Sequence, residues 1–179
     1  MHPKPPPNYL AGYPVKLTEH IQRLIAADRL GEALLRKYPR AHTVRSDKAL
    51  YDYVSGIKND HLRNAGPLDK VAFDGKLHVM RQALGAHSRI ARVQGQKLTS
   101  KREIRIATVF KDMPLDFLRM IVVHELAHIK EPEHDKAFYQ LCRHMEPDYH
   151  QLEFDARAYL CHLEATGRVL WTGSRVDTG

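Results

Sequence analysis

At 179 residues and 43% hydrophobic content the chain can bury a core of its own, so one domain, or one domain with an appendage, is the expectation. It has no run of 18 apolar residues, which excludes a membrane-spanning helix, and the opening Met1-His2-Pro3-Lys4-Pro5-Pro6-Pro7 lacks the apolar stretch of a secretory signal and reads as a stiff extended arm. The net charge of +7 is uneven, +11 over residues 1–110 and −4 over residues 111–179, a balance that suits acidic partners or ordinary solvated helix faces.

Taken in chain order, residues 14–37 place Val15, Leu17, Ile21, Leu24, Ile25, Leu30, Leu34 and Leu35 at helical spacing, in two pieces broken near Gly31 and stopped at Pro39. Ser46 and Asp47 can cap a helix over 48–61, with Leu50, Tyr53, Val54 and Ile57 on one face. Gly66-Pro67 is a break. Residues 68–85 are mixed, a short strand or a helix. Residues 87–93 and 102–110 have strand character, and the polar stretch from Gly95 to Ser100 can join them as a hairpin. In the second run Ile104, Ile106 and Phe110 alternate with Glu103, Arg105 and Ala107. Pro114 opens a helix over 115–130, with Asp112 as its N-cap and Pro132 as its stop; its middle, Phe117-Leu118-Arg119-Met120-Ile121-Val122-Val123, is apolar nearly all round and therefore buried. Helices over 134–145 and 148–166 follow, the second stopped at Gly167, and the tail after Trp171 is loose. The fold class is α+β, helices on both sides of a small central sheet. The domain reading is an arm and helical segment over 1–66, a main domain over 67–170 and a tail over 171–179.

The buried helix contains His124-Glu125-Leu126-Ala127-His128. Residues i and i+4 share a helix face, so His124 and His128 can present two imidazoles to one Zn2+. Glu125 lies about 100° round the helix, where a carboxylate can take a proton from an activated water without binding the metal. A catalytic zinc needs a third protein ligand and an open position. His134, six residues after His128 and beyond Pro132, supplies the candidate. With 12 His and 9 Glu in the chain, shuffling yields the five-residue pattern in roughly 4% of cases, and the third His lowers that at least tenfold.

The residues Ile121-Val122-Val123-His124-Glu125-Leu126-Ala127-His128-Ile129-Lys130 and His134-Asp135-Lys136-Ala137-Phe138-Tyr139, with Glu103-Ile104-Arg105-Ile106 before them and Met145-Glu146-Pro147-Asp148-Tyr149-His150 after, resemble the YgjP-like metallopeptidases, relatives of the SprT-like and other zincin peptidases. The resemblance covers residues 80–165. It implies a zincin-like core with a small central sheet, an active-site helix and flanking N- and C-terminal helices. It also implies zinc on His124, His128 and His134, and Glu125 as general base of a peptidase acting on peptide or protein. Zincins often bind substrate along a sheet edge, and 102–110 is the candidate edge. One departure stands out: where the metzincin pattern has Gly, this chain has Glu131, so its turn runs through Glu131-Pro132-Glu133. A gluzincin-like alternative replaces His134 by Glu153 as third ligand.

Weaker candidates surround this motif. Asp135, Glu153 and Asp155 are acids that can hold a ligand histidine's other nitrogen. Tyr149 and His150 can donate to an oxyanion, although a core Tyr and a surface His are the simpler reading. His144 reads as surface, and Phe138, Tyr139 and Leu141 as core. Arg89, Arg92, Lys97, Lys101, Arg102 and Arg105 form a basic hairpin that can hold phosphates, and SprT-like relatives act on DNA-bound proteins. Without interleaved aromatics, the same charges also protect a sheet edge. Cys142 and Cys161 lack the spacing of a structural zinc site and, with no signal, read as free thiols of a cytoplasmic protein. The leading expectation is a zinc metallopeptidase. Its alternatives are a non-catalytic module of the same fold that binds nucleic acid or protein, and a zinc hydrolase of a non-peptide amide.

Overall fold

The computed structural model describes residues 8–77 and 102–173. Among them are six α-helices and a two-stranded sheet, the α+β class expected. Helix α1 (Val15–Ala26) begins directly after Pro14. The break before α2 (Leu30–Lys37) falls at Asp28, which adopts a left-handed φ of 54°, and not at Gly31. Gly31 lies inside α2 for a packing reason. A Cβ there would meet Leu170 at 3.0 Å and His162 at 3.4 Å, so its bare backbone lets the end of the chain approach. Helix α3 (Asp47–His61) is capped as its sequence predicts, with the Ser46 hydroxyl accepting from the Ala49 N–H at 3.1 Å.

Strand β1 (Lys70–Asp74) pairs with β2 (Glu103–Ala107) in parallel, in the register Lys70 to Glu103 through Asp74 to Ala107. The mixed segment thus contains a strand, Lys70–Asp74, within its described part. The expected hairpin partner at 87–93, with Arg89, Arg92, Lys97 and Lys101, lies outside the described residues. Ile104 and Ile106 are buried and Arg105 is exposed, as the alternation predicts. Ala107, placed on the outer side by that alternation, is buried as well because the strand ends there in a 3-10 turn over Thr108–Asp112. Arg105 is tied to Asp74 and Glu103, both at 2.9 Å.

Helix α4 (Leu115–Ala127) is the centre of the molecule: Phe117, Leu118, Met120, Ile121, Val122, Val123, Leu126 and Ala127 are all fully buried. Truncating one such aromatic costs about 3–5 kcal/mol. Pro114, not Asp112, stands at its N-cap position; Asp112 belongs to the 3-10 turn, where it pairs with Arg45 at 2.5 Å. The helix stops at Ala127, five residues short of Pro132. Its end tightens into i to i+3 bonds, Ile129 N–H to Leu126 and Lys130 N–H to Ala127, both at 3.1 Å.

Helix α5 (Lys136–Met145) starts two residues later than expected, capped by Asp135. Helix α6 (Tyr149–Thr166) ends at Gly167, whose φ of 64° only glycine adopts without cost. α6 packs on α4, α5, α2 and α1, while α3 packs along β1 and α4 along β2. Trp171 returns to this core: its indole N–H donates to the Tyr38 carbonyl at 2.7 Å, and its ring meets Phe117 and Tyr159. Cys142 and Cys161 are free thiols, the first buried. No helix among the described residues is long and apolar enough to cross a membrane.

Candidate metal centre

Two structural units meet at the C-terminal end of α4. Helical periodicity stacks His124 over His128, and the turn after the helix returns His134, which stands in the loop just ahead of α5 because Asp135 caps that helix. The three Nε2 atoms converge, with His124 to His128 at 3.2 Å, His124 to His134 at 3.3 Å and His128 to His134 at 2.9 Å. This is the one group of potential metal-ligating side chains among the described residues.

A metal ion fits this arrangement on chemical grounds. Three nitrogens bound tetrahedrally at 2.0–2.1 Å from a common zinc stand about 3.3–3.4 Å apart, close to the separations here. Without an ion, lone pairs of neighbouring Nε2 atoms would face one another. Burial, and then the neighbouring His128 and His134 imidazoles, whose protonation would compete with its own, hold the His124 imidazole well below the ordinary histidine pKa; burial lowers His128 as well. Both are therefore kept neutral, the state a metal ligand requires.

The other ring nitrogens of His128 and His124 also have partners. His128 Nδ1 is 3.1 Å from the carbonyl oxygen of Glu131, and since a carbonyl only accepts, Nδ1 carries the proton and Nε2 is left as a lone pair. The departure at Glu131 thus does no harm, because the turn uses that residue's backbone. His124 Nδ1 lies 2.8 Å from the hydroxyl of Tyr149. Glu153 accepts from Arg157 at 3.1 Å. Phe138, fully buried, forms the floor, its ring centroid 5.0, 4.6 and 4.8 Å from those of His124, His128 and His134.

Glu125 is partly exposed between buried neighbours, so its carboxylate lies on the open side of the helix. The remaining candidates scatter. Asp135 caps α5, accepting from the Phe138 N–H at 3.0 Å. Asp155 takes bonds from Tyr38 at 2.5 Å and Lys37 at 2.6 Å, away from the histidines. Glu153 is not grouped with the histidines as a ligand. Tyr149 is fully buried against His124, which removes it from any oxyanion role. His150 is exposed beside Tyr139, and His144 packs edge-on against His61. The bond from Tyr149 to His124 was missed in the sequence. Its trace there is the spacing Tyr149, Glu153, Arg157, polar side chains every four residues on one face of α6.

A family model described as YgjP-like, metallopeptidase domain, matches residues 73–155. The chain is 57% identical, over 155 residues, to a protein of Escherichia coli (strain K12) named UTP pyrophosphatase; the match covers 87% of this chain and 93% of that one. No solved structure matches the chain.

Proposed function

The chain belongs to the YgjP-like metallopeptidase family, and from that membership we propose that it is a zinc-dependent hydrolase with a zincin-like core, whose substrate is UTP or a closely related nucleoside triphosphate. The convergence of three Nε2 atoms beside Glu125 carries the hydrolase reading. The substrate rests on the relative's name at 57% identity across nearly both chains. A net charge of +7 also favours a polyanion, which such a surface attracts from solution.

In this reading His124, His128 and His134 hold the ion. A bound zinc supplies Lewis acidity and lowers the pKa of a water in the site. Glu125 accepts the proton of that water as its oxygen attacks the α-phosphorus. The bond from phosphorus to the bridging oxygen breaks, and pyrophosphate leaves with the electron pair, taking a proton from Glu125 or from solvent. The products are UMP and pyrophosphate. Phe138 excludes water behind the ligands, and the partly exposed face of Glu125 admits substrate.

The family description favours a second reading, peptide hydrolysis by the same groups. One assay separates them: zinc-loaded protein is offered UTP, other nucleoside triphosphates and an unfolded protein. Release of pyrophosphate and UMP, abolished by chelation and by Glu125→Gln, supports the nucleotide reading. Cleavage of the polypeptide with intact UTP moves the assignment to peptidase, and activity on neither leaves a binding module.

A further inference from the structure

We propose that Tyr139 and His150 form a shelf beside the metal centre on which the base of a nucleoside triphosphate stacks. The inference deepens the nucleotide reading above and rests on it. Attack at the α-phosphorus places that atom beside the three Nε2 atoms. A single ribose joins it to the base, so the base must rest against a surface next to the histidines. Bases stack on exposed aromatic faces. Among the described residues, three further rings lie against those of the histidines: Phe138, Tyr149 and Tyr139. Phe138 and Tyr149 are fully buried and offer no face to a substrate. Of the three, Tyr139 alone reaches solvent.

Helical geometry puts the shelf there. In α5, Phe138 turns inward against the imidazoles, and Tyr139, about 100° further round, meets the start of α6. The start of α6 repeats the arrangement: Tyr149 reaches inward to His124, and His150, the next residue, is exposed. The two outer rings meet, with centroids 5.4 Å apart and planes 37° apart. Tyr139 also lies 6.5 Å from His134, at 32°. His134, Tyr139 and His150 therefore form a row of tilted faces leading from the third histidine of the cluster out to solvent. Contacts with the buried rings of Phe138, at 5.1 Å, and Tyr149, at 6.3 Å, hold Tyr139 in place, so little ordering is left for a substrate to impose. Stacking requires only a π-face, so the shelf favours nucleoside triphosphates over bare polyphosphates without selecting uracil.

The test sets UTP, as substrate of the zinc-loaded protein, against inorganic triphosphate, a competitive inhibitor with the same phosphates and no base. Tyr139→Leu, which keeps apolar volume and loses the ring, should raise KM for UTP about tenfold or more while kcat changes far less, the mark of lost ground-state binding. Tyr139→Phe, which keeps the face, should stay within about twofold of wild type, and His150→Ala should raise KM about threefold. The inhibition constant of inorganic triphosphate and the zinc content should match wild type in all three. A purely structural role would instead lower the zinc content or weaken both ligands alike. That result, or a wild-type KM for UTP in Tyr139→Leu, overturns the proposal. If Tyr139→Leu does not fold, His150→Ala, at an exposed position, decides. A wild type that hydrolyses no UTP overturns the nucleotide reading and the shelf together, whereas hydrolysis of UTP with unchanged KM in the variants removes the shelf alone.

Discussion

His128 donates its Nδ1 proton to the carbonyl oxygen of Glu131, 3.1 Å away, so the turn that leaves α4 also orients the second histidine of the cluster. The same residue's N–H closes the turn on the Ala127 carbonyl at 2.9 Å. Both bonds use the backbone of Glu131 and neither uses its side chain. Glu131→Ala should therefore leave zinc affinity within about twofold of wild type, whereas Glu131→Pro, which removes the N–H and restricts φ, should weaken it about tenfold or more. Chelator competition measures both, and a large loss in the alanine variant would assign the side chain a role that this geometry does not.

Glu125 follows His124 on the open side of the same helix. If it is the general base, Glu125→Gln keeps the shape and the zinc but lowers kcat by about 10²–10⁴. Elemental analysis beside the pyrophosphate assay reads both quantities. A variant that keeps full activity removes the base assignment, and one that loses zinc makes Glu125 part of the binding site.

Asp135 sits between His134 and α5 and accepts from the Phe138 N–H at 3.0 Å. Losing an N-cap of this kind costs about 0.5–2 kcal/mol. Asp135→Ala should lower the urea midpoint of the metal-free protein accordingly, and Asp135→Asn should restore most of it. Because the capped helix carries Phe138, the floor beneath all three imidazoles, zinc affinity should fall in parallel with stability.

His42 gives a pH dependence outside the metal centre. Its Nε2–H donates to the Phe110 carbonyl at 2.7 Å and its Nδ1 accepts from the Val44 N–H at 3.0 Å, so the buried ring is neutral. Burial holds its pKa below the ordinary 6.5. As pH falls through 6.5 the unfolded chain takes up a proton that the folded chain refuses. Stability from this group is therefore complete above that value and declines below it, until the lowered folded pKa is reached. His42→Gln should flatten the slope of stability against pH below 6.5 by up to about 1.4 kcal/mol per pH unit. Urea unfolding of metal-free wild type and variant across pH 5–8 measures the difference; identical slopes would mean that the folded protein protonates His42 freely.

What the sequence by itself determined is local. Ser46 caps α3, Gly167 ends α6, and the apolar middle of α4 is buried, because capping and the 3.6-residue period act within one element. The same period stacks His124 over His128, and His134, six residues on and beyond Pro132, was legible as the third candidate because the chain can turn back there. The break at Asp28 was not, since Gly31, the residue that looks like a breaker, is required by Leu170 and His162 from the far end of the chain. Nor was the place of Asp112, which Arg45 draws into an ion pair before it can cap α4.

Tertiary structure alone decided how β1 pairs with β2, where α6 lies, and which groups stand behind the histidines. Tyr149 reaches His124 only because α6 docks across α4, and a contact between residues 25 apart leaves no mark on the periodicity of either helix. Asp135, Glu153 and Asp155 are equivalent acids in the sequence. In the folded chain Asp135 caps a helix, Glu153 pairs with Arg157 and Asp155 accepts from Tyr38, Lys37 and Gln151, because burial and distance, which no local pattern encodes, decide which donors each carboxylate reaches.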